Sequence, residues 1–332
     1  MTQRRPERTP GRSRIARVLA LLVGLGAIVL LIRHFADLEH FVALARRAQP
    51  RWLIVAFAFQ LVTYAAVAMG WKIVLKHAAA PQPLRKLLPV AVSKLFADQA
   101  LPGAGLGGHI LLVDRLTALG TPRSTAVAAL LISMVGYYAA YAALALVMLL
   151  VLWLHHHATP LLAGLVTMFL IVALAVPALA LWLRHRGSKP LPPWLERLGP
   201  VHRIVVIVGE APADLVGDRR LLVLVSLLNG CVFLADSATL AACLLALGLP
   251  FEPATAFLAL MAGSIAATLA PIPLGLGSFE ASSTAMMTTL GIPFEAALTA
   301  TLLLRGLTLW LPLLPSLAMM RGGARKPRRD RP

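Results

Sequence analysis

The stretch STAVAALLISMVGYYAAYAALALVMLLVLWL, from Ser124 to Leu154, runs for 31 residues without a charged side chain and decides the fold class. A helix needs only about twenty apolar residues to cross the hydrocarbon core of a bilayer. The apolar residues are continuous, whereas the strands of a membrane barrel alternate apolar with polar residues. The stretch therefore predicts a transmembrane helix.

Further apolar runs of similar length occur along the chain. The run from Ile15 to Ile32 contains one charged residue, Arg17, near its start. We predict that this run is an uncleaved first span. The remaining runs are Trp52 to Trp71, Ala158 to Leu183, Pro253 to Phe279, Leu221 to Leu249 with Asp236 inside it, and Ala296 to Met320 with Arg305 inside it. With 59% hydrophobic and 14% charged residues, the chain has too little polar surface to coat a soluble globule. We expect an all-α, polytopic integral membrane helical bundle over residues 15–320.

The basic residues predict the topology. Lys and Arg number 31 and the net charge is +17, which in a soluble protein would favour nucleic-acid binding. Here they lie in tails and loops beside the spans, and 26 of the 31 fall on one side if the N-terminus is cytoplasmic. We therefore expect a disordered basic cytoplasmic tail over 1–14, a basic cytoplasmic tail over 321–332, a location in the cell membrane (typical of a bacterial inner membrane protein) and no nucleic-acid partner.

Two Pro/Gly-rich segments share one pattern. In LPGAGLGGHILLVDRLTALGTP (101–122) and PIPLGLGSFEASSTAMMTTLGIP (271–293), a Gly-Leu-Gly follows a proline and a Leu-Gly-x-Pro ends the segment. The helices that fit between these signals, Gly108 to Ala118 and Ser278 to Thr289, would be only about 16 to 18 Å long, half of the hydrocarbon core. Chance in a Gly- and Leu-rich chain would give the same pattern, and glycines also serve tight helix packing.

The two half-helices predict re-entrant hairpins, over about 85–122 and 253–293. Three full spans are predicted between them, and an odd number places the hairpins on opposite membrane faces. The sequence therefore predicts an inverted repeat, an arrangement typical of transporters.

Broken helices direct backbone N–H groups and a positive dipole end towards the middle of the membrane, where they favour anions. Arg305 lies deep in its span and requires a negative partner or an anionic headgroup, and Glu280 in the first turn of the second half-helix is the expected partner. A purely structural ion pair is the alternative. For Asp236, a hydrogen-bonded structural role and a proton-coupling role both remain open. The candidate substrate-binding residues are Arg305, Glu280, Gly275, Gly277, Ser278, Gly105, Gly107, His109 and Asp236.

Metal binding and catalysis have no motif in their favour. His155, His156 and His157 are consecutive, so their side chains point in different directions, and a solvated turn explains them. The sequence lacks nucleotide-binding, nucleophile-elbow and zinc-protease motifs. We expect no cofactor, no metal and no enzymatic activity.

At PIPLGLGSFE, Pro271 to Glu280, the sequence resembles the lysylphosphatidylglycerol synthase transmembrane-region family, also called flippase-like domain proteins. The family pattern is close to P-x-P-G-G-x-G-x-x-E followed by an intramembrane Arg, here Arg305; Leu274 replaces the first glycine. The earlier segment resembles the family's Pro-Gly-x-x-Gly-Glu element, with His109 where an acidic residue is more usual.

The resemblance implies a membrane domain over residues 15–320 that translocates or handles a lipid or lipid-linked sugar. Because nucleotide-binding motifs are missing and only about twelve residues follow Met320, we expect neither ATPase nor synthase activity. The expected partners are membrane lipids with an anionic or phosphate-bearing headgroup, together with a lipid- or glycan-modifying enzyme. Two alternatives remain: a non-transporting partner that presents a lipid-linked sugar to a glycosyltransferase, and a secondary transporter of a small anion.

Overall fold

The structure is a computed structural model, and it describes residues 48–100, 106–154, 160–186, 212–249, 252–270 and 275–310. All regular secondary structure in these ranges is helical, which confirms the all-α part of the predicted fold class. The predictions for both tails, for the first span at 15–32 and for the histidines at 155–157 lie outside the described residues.

Ten α-helices and one π-helical turn are described within these ranges. They are α1 (Pro50–His77), α2 (Leu84–Ala100), α3 (Leu106–Ala118), α4 (Arg123–Leu154), α5 (Pro160–Arg186), α6 (Ala213–Gly217), α7 (Arg219–Ala246), α8 (Pro253–Leu269), α9 (Ser278–Thr289), α10 (Phe294–Arg305) and the π-helix Gly306–Trp310. Among the described helices, α1, α4 and α7 are long and apolar enough to cross a membrane. Large apolar side chains on α4, α5 and α7 are exposed, as expected where helices face lipid. The chain is a membrane protein.

Helices α1 and α7 pack closely as an antiparallel pair. The backbone N–H of Gln49, just before α1, donates to the carbonyl of Ala246 at the end of α7. Near the opposite end, Gly70 of α1 faces Val225 of α7. Helix α4 runs parallel to α7, since Gly136 packs on Val225 and the Tyr141 ring packs further along α7. The end of α1 and the starts of α4 and α7 therefore lie at the same end of the bundle.

The two Pro/Gly-rich segments both form helix pairs that fold back on themselves. In the second, Gly263 of α8 faces Phe279 of α9, so the two helices are antiparallel. In the first, the side-chain amide of Gln82, before α2, donates to the carbonyl of Leu119, after α3, over 3.0 Å. The uncharged run at 253–279 is therefore not one continuous span, because it breaks between α8 and α9.

The spacing of the helices repeats along the chain. The starts of α1 and α7 are 169 positions apart, as are those of α2 and α8; the offsets are 172 for α3 and α9 and 171 for α4 and α10. The half-helix predicted at Ser278 to Thr289 coincides with α9, and the one predicted at Gly108 to Ala118 begins two residues earlier, at Leu106.

The turns after α3 and α9 form the same set of backbone hydrogen bonds. Gly120 and Gly291 adopt φ values of +86° and +90°, and in both turns the same set of backbone N–H groups donates back to the last helical carbonyls. A left-handed residue at this position is the usual end of a helix and favours glycine. A second pair of matching turns ends α1 and α7, where Ala79 (φ +55°) takes the position that Gly248 (φ +78°) has in the other half.

Candidate functional site

The break between α8 and α9 depends on glycine. Gly275 has a φ of +58°, and a Cβ added there would lie 2.6 Å from the Cβ of Ala267 on α8. Gly277, immediately before α9, has a φ of +84°. The hydroxyl of Ser278 donates to the carbonyl of Gly275 and fixes the turn. Three of the predicted site residues thus shape the backbone at the start of α9.

The carboxylate of Glu280 joins the start of α9 to α10. Its Oε2 accepts a hydrogen bond of 2.7 Å from the backbone N–H of Gly277, and its Oε1 lies 2.6 Å from Nε of Arg305. The side chains of Arg305 and Glu280 are only 11% and 14% exposed. The Arg305 guanidinium also lies 4.9 Å from the centre of the Phe279 ring, a cation–π contact. One carboxylate therefore engages both a positive helix end and a buried guanidinium.

The ion pair lies near the middle of the bundle. Glu280 is nine residues before the end of α9 and Arg305 eleven after the start of α10, which are about 14 and 16 Å along each helix. These two helix ends meet in the tight turn at Gly291. About 15 Å is half the thickness of a hydrocarbon core. Arg305 is also the residue at which α10 changes into the π-helix, a distortion common at functional sites.

Hydroxyl groups also lie between α9 and α10, about one helical turn from the ion pair. Ser283 and Thr301 are fully buried and their hydroxyls are 3.5 Å apart. The neighbouring Thr284 hydroxyl is also buried and has no hydrogen-bond partner within the described part of the chain. These residues gave no signal in the sequence, because serine and threonine are common in apolar spans.

A family model for the lysylphosphatidylglycerol synthase transmembrane region matches residues 17–316, almost the whole chain. The chain belongs to this family. The match confirms the resemblance found at Pro271 to Glu280, and it places both the broken helix and Arg305 within a membrane domain with a flippase-like association. No individual curated protein matches the chain significantly.

Asp236 lies in a second polar cluster, between α7 and α1 of this family domain. Its Oδ1 accepts hydrogen bonds from the side-chain amide of Gln60 (2.9 Å) and the hydroxyl of Thr63 (3.0 Å). The Gln60 amide also donates to the hydroxyl of Thr239. The carboxylates of Asp236 and Glu280 thus have different hydrogen-bond partners.

The first hairpin holds the remaining predicted residues. Gly105 lies outside the described residues, while Gly107 is in the first turn of α3 and His109 is half-buried two residues later. Lys94 lies inside α2, ten residues and about 15 Å from the start of that helix, within the predicted first hairpin.

Proposed function

We propose that this chain binds the anionic or phosphate-bearing headgroup of a membrane lipid at the break between α8 and α9, and moves that lipid between the leaflets. The observation that carries the proposal is Arg305, a guanidinium buried at mid-membrane depth beside the start of a broken helix. Ionisable groups inside membrane spans are costly and usually serve function. Membership in a flippase-like family supports the same assignment.

The proposed architecture is an inverted repeat of two re-entrant hairpins in the cell membrane, with both termini cytoplasmic. It is supported by the matched helix spacing. It is also supported by the antiparallel packing of α1 and α7, because the first hairpin begins after the end of α1 and the second begins after the end of α7, at opposite ends of the bundle. The end of the bundle at the first hairpin is rich in basic residues, including Arg85, Lys86 and Arg123. The positive-inside rule makes that end cytoplasmic, so the second hairpin would enter from outside.

Glu280 has the role of an internal anion in this proposal. Its carboxylate accepts hydrogen bonds from both groups that would attract a headgroup, the N–H of Gly277 and the Nε of Arg305. A phosphate has oxygens that suit both, and arginine binds phosphate through paired N–H groups. The incoming headgroup would share Arg305 with Glu280 or replace it.

The test is lipid movement in reconstituted vesicles. We expect wild-type protein to move a fluorescent anionic phospholipid faster than an uncharged glycolipid with the same acyl chains. Arg305→Ala should abolish this difference, and Arg305→Lys should retain part of it because lysine keeps the charge but loses the paired N–H groups. Glu295→Gln, at an exposed carboxylate in the first turn of α10, is the matched control and should behave as wild type. Equal movement of both lipids by wild type and Arg305→Ala would refute the proposal.

A further inference from the structure

We propose that Asp236 binds and releases a proton within the membrane, so that the chain carries an ion-coupling site separate from its lipid site. The inference goes beyond lipid binding and starts from the geometry between α1 and α7. Asp236 is ten residues before the end of α7, about 15 Å from the end of the bundle at which the second hairpin begins. It therefore lies at the same depth as Glu280 and Arg305.

The partners of Asp236 are neutral. Gln60 and Thr63 donate to its Oδ1, and no described basic side chain forms an ion pair with it. A carboxylate in an apolar interior is strongly disfavoured in its charged form unless a cation balances it. The charge of Asp236 is thus left to be balanced by a proton.

The Tyr64 hydroxyl is the second observation. Tyr64 lies one residue after Thr63, is 7% exposed, and has no hydrogen-bond partner within the described residues. It is close enough to interact electrostatically with Asp236. A buried hydroxyl without a hydrogen-bond partner costs free energy. It can offset that cost by donating to a nearby carboxylate when the carboxylate becomes charged.

The hydrogen-bond donors around Asp236 favour the binding of a proton over that of a metal ion. Gln60 and Thr63 direct N–H and O–H groups at Oδ1, whereas a metal ion needs lone pairs directed at it. Thr239 also uses its hydroxyl, which accepts from Gln60 and donates to the carbonyl of Ala235. The proton therefore bonds to Oδ2: hydronium gives up a proton, an O–H bond forms on the carboxylate and water is left, and release reverses the step.

Few other titratable groups face this level of the bundle. Helix α8 has none, and the one titratable group of α10 at this depth is Arg305, which Glu280 engages. Away from the helix ends, the others on α1, α4 and α7 are Tyr64, Tyr137, Tyr138, Tyr141, Cys231 and Cys243, whereas the basic residues of these three helices lie in their first or last two turns. Among the described helices packed against α7, and on α7 itself, Asp236 is therefore the carboxyl group at this depth, and Glu280 lies at the same depth on α9.

Infrared difference spectroscopy tests the proposal without any lipid substrate. The purified chain is placed in nanodiscs of zwitterionic lipid, and spectra in acidic and alkaline buffer are subtracted. We expect a reversible carbonyl band of a protonated carboxyl group that shifts when aspartate carboxyls carry ¹³C. The band should be lost in Asp236→Asn, whose side-chain oxygen can still accept from Gln60 and Thr63, and kept in Glu280→Gln.

Three results would overturn it: no such band in wild type, a band that persists in Asp236→Asn, or a band removed by sodium at constant pH. The isotope shift assigns the band to aspartate even if the Asn variant folds poorly. Because no lipid has to move, this experiment can succeed or fail independently of the proposed lipid transport.

Discussion

Removing Glu280 and Arg305 one at a time and then together should reveal strong coupling between them. Either single change to alanine leaves a mostly buried charge without its counterpart, which costs about 3–5 kcal/mol of unfolding free energy. Glu280→Ala also removes the acceptor for the Gly277 N–H, worth about 1 kcal/mol. Arg305→Ala also removes the contact with the Phe279 ring, again about 1 kcal/mol.

The double change removes both charges, so it should cost only about 1–3 kcal/mol, less than either single change. Chemical unfolding of the purified variants in detergent measures these values. Glu280→Gln separates the two roles of Glu280, because the amide oxygen can still accept from Gly277 while the charge is absent. Glu295→Ala, at an exposed carboxylate, should change stability by less than about 0.5 kcal/mol. If the two single costs add to the cost of the double change within about 0.5 kcal/mol, the ion pair does not couple α9 to α10.

Three further predictions concern the backbone and the topology. Gly275→Ala should destabilise the fold by about 2–4 kcal/mol in the same unfolding assay, because the added Cβ meets a helix closely and the residue is left-handed; a change below about 0.5 kcal/mol would contradict this. Ala79→Gly should stabilise the fold by about 0.5–1 kcal/mol and Gly248→Ala should destabilise it by about 1 kcal/mol, since both positions are left-handed; shifts of the same sign would show that the two turns are not equivalent. Single cysteines near Thr121, at the exposed Pro122, and at the exposed Pro293 should react with an impermeant thiol reagent from opposite faces of the membrane, and reaction from one face would refute the inverted repeat.

The half-helices were predictable because their limits are set by local chemistry. Glycine before the helix and Leu-Gly-x-Pro after it define α9 whatever surrounds it. The contact between Glu280 and Arg305 followed from the requirement that a buried charge have a partner. In both cases the physical rule acts over a short range or involves few candidates.

The partners of Asp236 could not be predicted. Gln60 is 176 positions away, and a neutral polar residue in an apolar span has no charge or period that indicates its partner. The change from α-helix to π-helix after Arg305 also depends on packing between helices, and the sequence has no marker for it.

The central claim is that Arg305, beside the broken helix, binds a phosphate-bearing headgroup, and native mass spectrometry tests it most directly. Wild-type protein and the Glu280→Ala/Arg305→Ala double variant are extracted together with a mixture of anionic phospholipid and uncharged glycolipid, then progressively delipidated. We predict that wild type retains the phospholipid and that the folded double variant retains neither lipid. Equal retention of the phospholipid by both proteins, or retention of the glycolipid by wild type, would contradict the claim.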